Sequence, residues 1–398
     1  MCILPDESKR TKQIDIFSGG VKLNKYINNM NKKIIIGIVI IVLIILGFWI
    51  SNKNQNDLSA INEIKIGSIL IESGDGASWG EAARNGMDLA IKEINDQGGI
   101  LGKKVVAIHE DDAGDPAKTV SAFRKLTQTD GVKFIIGPSW SKNGDTIKDL
   151  ITNEIVISPS LGNANFNETS KFIFNTWPHD YILSAKLADY VFAKGIKNVA
   201  ILGANEVWCK AQTMAFKERF ETLGGVVSFV YEPTTDQRDV RTDLLKLKQI
   251  KDLQAIVVTS DGYGLTSVYG KQMRDLGIKM PTYSITLDNT VVKNCEGTCN
   301  DWEFLTALTP KADFSVKYKS TYNREVEIGS DSAYDAVMLI AKGIKETKSL
   351  DTNVIQKYLN NVKTYDGQSG VLASDGKGAF TKDFKTMIIK SGIPVELK

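Results

Sequence analysis

Histidine is almost absent from this chain: His109 and His179 are the only two in 398 residues. A His-rich metal centre is therefore excluded as its chemistry. Cysteine is scarce as well, with Cys2, Cys209, Cys295 and Cys299. Cys295 and Cys299 flank three residues, and no second Cys/His pair accompanies them, which argues against structural zinc. Two readings stay open for that pair, a small closed loop in an oxidising compartment or two unpaired thiols. Also missing are a Gly-x-Ser-x-Gly elbow, a Gly-x-x-x-x-Gly-Lys phosphate loop and a His-Glu-x-x-His helix. The segment Glu72-Ser73-Gly74-Asp75-Gly76-Ala77-Ser78 lacks the Gly-x-Gly-x-x-Gly dinucleotide fingerprint. Neither sign of charge dominates: 49 Lys and Arg face 47 Asp and Glu, a net charge of +2. Spread evenly, these charges make no extended nucleic-acid surface. Nothing here points to an enzyme or to a cofactor.

What the chain does have is alternation. Ile64-Lys65-Ile66-Gly67-Ser68-Ile69-Leu70 reads as a strand, followed by a small-residue turn and a helical pattern over 78–96. Trp79, Ala82, Ala83, Gly86, Leu89, Ala90 and Ile94 fall on one stripe of that helix. Ser78 with Glu81 three residues on reads as a capping box. Further strands are expected at 105–112, 134–136 and 155–157, the last two running into Ser139-Trp140-Ser141 and Ser158-Pro159-Ser160. From Val199 a similar order starts over, with helices expected at 211–224, 239–251 and 265–276 between apolar strands. A strong amphipathic helix is expected at 332–347, and hairpin material at 367–380. Strands alternating with helices imply parallel sheets, whose ligands bind at the carboxyl ends of the strands.

The N-terminal part differs. Residues 1–33 are polar and pattern-free, and read as a disordered cytoplasmic segment, with Met30 as an alternative start. Residues 34–50 are 17 residues without a charge, enough for a short membrane-spanning helix. No small-x-small cleavage site follows, so an uncleaved anchor is expected. Lys22, Lys25, Lys32 and Lys33 precede it, which places the remainder outside the cytoplasm. Residues 51–63 read as a linker.

Five motifs stand in order. They are the Gly74–Trp79 turn, Ile94-Asn95-Asp96-Gln97-Gly98-Gly99, Asp111-Asp112-Ala113-Gly114-Asp115-Pro116, Ile136-Gly137-Pro138 and Ser158-Pro159-Ser160. Together they make the chain resemble the branched-chain amino-acid (Leu/Ile/Val-binding) class of periplasmic type I solute-binding proteins. The resemblance implies an α/β fold, periplasmic binding protein type I, with two Rossmann-like lobes joined by a three-crossing hinge. The first lobe is expected to hold 64–178 and 308–386, and the second 179–307 and 387–398. It also implies a small amino acid or related ligand, no cofactor, no metal, a monomer, and an ABC permease as partner. The alternative is a sensor, the same module reporting its ligand to a signalling partner. The disulfide that relatives often carry is absent, because its positions fall at Gly114 and Trp140.

By the same resemblance the ligand's carboxylate falls to Ser139, Ser141 and Ser160, where strand-end turns offer hydroxyls and amides. Gly162 stands where relatives commonly carry a hydroxyl residue. The ammonium falls to Asp288, with Asp261 as the other strand-end acid and Asp180 at a further family-like position. Turn chemistry or helix capping is the competing role for each Ser and Asp. Trp79, Trp140 and Trp208 fall at cleft-lining positions. Three tryptophans together suit a flat aromatic ligand, or a cationic head of the betaine or choline kind.

Overall fold

A computed structural model of the chain describes residues 41–42, 61–260 and 264–397. The chain divides into two units, residues 1–60 and 61–398. In the first, Ile41 and Val42 are helical and exposed, and the rest of the expected anchor at 34–50 lies outside the described residues. No helix among the described residues is long and apolar enough to cross a membrane.

The second unit opens with five parallel strands: β1 (Glu63–Leu70), β2 (Lys104–Asp111), β3 (Phe134–Ile136), β4 (Ile155–Ser158) and β5 (Ile173–Asn175). Their order in the sheet is β2-β1-β3-β4-β5. Between them lie α1 (Ala77–Asp96), α2 (Pro116–Arg124), α3 (Ser141–Ile147) and α4 (Ala164–Thr169). Strands β3 and β4 are buried at every residue, which is why they read as unbroken apolar runs rather than alternating ones.

The second sheet is built from β6 (Asn198–Leu202), β7 (Val226–Tyr231), β8 (Ala255–Val258), β9 (Thr282–Ile285) and β10 (Glu303–Thr306). The helices α5 (Asp180–Ala193), α6 (Val207–Thr222), α7 (Arg241–Leu247), α8 (Leu265–Asp275) and α9 (Asn289–Asn294) connect them. The chain then returns to the first lobe for α10 (Ala312–Tyr322), α11 (Ser330–Thr347) and α12 (Thr352–Asn360). A small antiparallel sheet follows, β11 (Tyr365–Gly367), β12 (Gly370–Ser374) and β13 (Phe380–Thr381). Finally β14 (Lys385–Lys390) and β15 (Ile393–Glu396) add antiparallel strands to the second sheet, giving β15-β14-β10-β9-β8-β6-β7. The chain thus passes between the sheets after β5, after β10 and after β13.

Close approach explains two glycines of α1. A Cβ on Gly80 would fall 1.7 Å from the Ile71 carbonyl oxygen, and one on Gly86 would fall 1.9 Å from that of Ser330. The helix therefore lies tight against both the end of β1 and the start of α11. Its cap differs from expectation. Helix α1 begins at Ala77 behind Gly76, without a side-chain cap, so Ser78 sits inside the first turn. Glu81 accepts from Arg324 instead. Helix α6 starts at Val207, four residues before the expected Ala211, because Glu206 caps it: one carboxylate oxygen accepts from the amides of Trp208 (2.7 Å) and Cys209 (3.4 Å). Cys295 and Cys299 are joined in a disulfide, which decides between the two readings of that pair.

Candidate functional site

The turns at the carboxyl ends of the first sheet are tied together by hydroxyls. Ser158 donates to the Pro138 carbonyl (2.7 Å) and accepts from the Leu161 amide (2.9 Å). Ser160 donates to the Ser139 carbonyl (2.9 Å), and Ser139 accepts from the Ile71 amide (3.4 Å). Behind them the buried Asp112 accepts from Gly114 N, Thr119 Oγ1 and Asn143 Nδ2 at 2.9–3.0 Å, locking the turn after β2 to α3. Burial pushes that carboxyl up, and the three donors counter it. A Cβ on Gly114 would lie 3.0 Å from the Trp140 ring, so the indole packs closely on the turn after β2.

These turns and those of the second sheet line a shared, partly open cavity. The first lobe contributes Trp79, Ser139, Trp140, Ser141 and Ser160, with Trp177 from the passage after β5 and Ile328 from the turn before α11. The second lobe contributes Glu206 and Trp208 after β6 and Thr286 after β9. Trp79 and Trp140 meet edge to face, 6.5 Å between ring centres, and Lys142 lies 4.9 Å from the centre of the Trp140 ring. Among the lining groups, three buried polar atoms have no hydrogen-bond partner: Ser141 Oγ, Glu206 Oε1 and Thr286 Oγ1. Thr286 is also held at φ +52°, a left-handed conformation that costs a β-branched residue on the order of 1–2 kcal/mol. Strain and unfilled polar valence at one cavity are marks of a ligand site.

Six of the ten residues expected from sequence line this cavity: Trp79, Ser139, Trp140, Ser141, Ser160 and Trp208. Gly162 is buried nearby but is not among the lining residues. Asp288 stands outside the lining and is fully engaged. One of its oxygens accepts from the Val291 amide (2.9 Å), capping α9, and the other from the indole N–H of Trp79. That bond spans the two lobes. Asp180 is the first residue of α5, whose N-cap is His179. Asp261 lies outside the described residues.

The acid that sequence reasoning missed is Glu206. It reads as loop when the helix is placed four residues late. The signal lay in an acid standing two residues before Trp208 at a strand end, the position of an N-cap. Burial raises its pKa, while the two capping amides and Lys142 oppose the rise. A second unexpected acid, Glu327, accepts from Thr290 Oγ1 across the lobes (3.2 Å). Burial, and then the neighbouring Asp288 charge, push it up to about 8. Among the described residues no group of three or more His, Cys, Asp or Glu is placed to hold a metal ion.

Known proteins share this architecture. The profile of the family described as periplasmic binding protein matches residues 63–391. A Leu/Ile/Val-binding protein homologue of Brucella melitensis is 28% identical over 337 residues, covering 80% of this chain and 89% of its own. The Leu/Ile/Val/Thr-binding protein of Salmonella typhimurium is 25% identical over 80% of this chain and 88% of its own. Two solved structures have the same fold. One is the substrate-binding protein LivJ of Streptococcus pneumoniae in complex with isoleucine (TM-score 0.76, 24% identity, 84% of this chain and all of that one). The other is a solute-binding protein of Rhodopseudomonas palustris in complex with 3,4-dihydroxybenzoic acid (TM-score 0.77, 21% identity, 85% and 97%). From strand order to family profile the observations agree: the chain belongs to the periplasmic binding protein family, with the type I fold.

Proposed function

We propose that this protein captures an amino acid or a related small compound in the cavity between its two lobes and delivers it to an ABC permease. The observation that carries the reading is the cavity itself, with its indole walls and its three unpartnered polar atoms. Ligand would fill those valences, and the lobes would close over it by bending at the three passages between the sheets, within the boundaries expected from sequence. Ser141 and Thr286 offer hydroxyls without a partner, whereas that of Ser160 already donates to the turn at Ser139. The binding domain works outside the cytoplasm, held at the membrane as a monomer by the apolar run 34–50. Catalysis has no part in this reading.

Thermal-shift screening against amino acids, betaines and aromatic acids tests it, because a ligand that binds only the folded state raises Tm by mass action. At least one class should do so, and Ser141→Ala should weaken the hit. A hit indifferent to both Ser141→Ala and Trp208→Ala would place binding elsewhere.

A further inference from the structure

The cavity wall holds an acid with one oxygen left unanswered. Glu206 caps α6 through one oxygen, which fixes the side chain, while Oε1 is buried and has no partner. Lys142 lowers the Glu206 pKa from a distance, but it engages the face of Trp140. The same cavity is lined by Trp79, Trp140, Trp177 and Trp208, four of the six tryptophans in the chain. Asp288, the acid that the resemblance assigns to an ammonium, is occupied by Trp79 and by α9.

We propose that the cavity selects a compact ligand whose positive charge sits on an alkylated nitrogen, paired with Glu206 and enclosed by the four indoles. This rests on the solute-capture reading above and names its ligand class.

Three physical arguments converge. A buried carboxylate oxygen without a partner is costly, and a cationic ligand would answer it. An anionic aromatic acid would instead set a second carboxylate beside that of Glu206. Between cations, a primary ammonium needs an acceptor for each of its three N–H groups, and indole faces are poor ones. An alkylated nitrogen needs none: its methyl groups pack on the rings, and its diffuse charge is attracted by their negative faces. The Ser141 and Thr286 hydroxyls remain for a carboxylate or hydroxyl on the ligand's other end, which suits betaine- or choline-like molecules.

The test is calorimetry with tryptophan fluorescence on the full-length protein, titrated with tetramethylammonium, choline, glycine betaine, leucine and benzoate. Choline or glycine betaine should bind at least ten-fold more tightly than leucine and benzoate, and should perturb the indole emission. Glu206→Gln keeps an oxygen to cap α6 and should weaken that binding at least ten-fold. Trp208→Leu should weaken it too, and serves if the first variant folds poorly. Tighter binding of leucine or benzoate would overturn the inference and leave solute capture standing. Binding of no member of the panel would overturn both.

Discussion

Glu206 and Asp288 each cap the helix that follows a strand of the second sheet. Each gives one oxygen to amides of that helix, and burial raises the pKa of both. The second oxygen separates them. In Asp288 it accepts from the Trp79 indole on the other lobe, 209 residues away in sequence, and the carboxylate becomes a strut. In Glu206 it has no partner and belongs to a residue of the cavity wall. Capping chemistry is therefore compatible with either a structural or a binding role. What decides is whether the opposite lobe supplies a donor.

Removing the strut should have the largest effect. Asp288→Ala takes the cap from α9 and leaves a half-buried indole N–H without its acceptor, for a loss of about 2–3 kcal/mol in urea denaturation. Unchanged stability would mean that Asp288 is as available to ligand as Glu206. The matching change on the other side should cost less. Glu206→Ala loses only a cap, about 1 kcal/mol, and Glu206→Gln should retain most of that because its amide oxygen still accepts. If the two Glu206 variants were equally destabilised, the charge would matter to the fold and not chiefly to the ligand.

Glu327 sharpens the comparison further, because the charge of Asp288 acts on it. Its pKa is raised in the folded protein from 4.5 to about 8, so the folded state holds that proton more tightly than the unfolded chain. The stabilisation it contributes is full below about pH 4.5 and is lost as pH rises through 8. Tm should therefore fall across that window by a few degrees more in the native protein than in Glu327→Gln. Parallel Tm curves for the two proteins would remove Glu327 from the account.

Much of the scaffold was legible. The strands of both sheets are short apolar runs bounded by turns, and α1 and α11 carry a long apolar stripe. Helix α10 was not singled out, because it buries only Phe314 and Tyr318 and so shows almost no periodicity. Helix α12, at nine residues, is too short to stand out against its polar surroundings. The tryptophans at 79, 140 and 208 announced a wall through their places in strand-end turns. Trp177 joins that wall from the passage after β5, away from any of those turns.

Local sequence, then, determined the alternating elements, the parallel sheets and the turns at which a ligand site could form. Those depend on patterns within some ten to twenty residues, on which side chains can be buried and on which backbone donors need caps. Tertiary structure decided which polar groups remain open. Ser160 and Asp288 look available in sequence, yet the Ser160 hydroxyl donates to a neighbouring turn and Asp288 accepts from the opposite lobe. Ser141, Thr286 and Glu206 each keep a polar atom open, because hydrogen-bond satisfaction is a property of the packed neighbourhood and not of the residue.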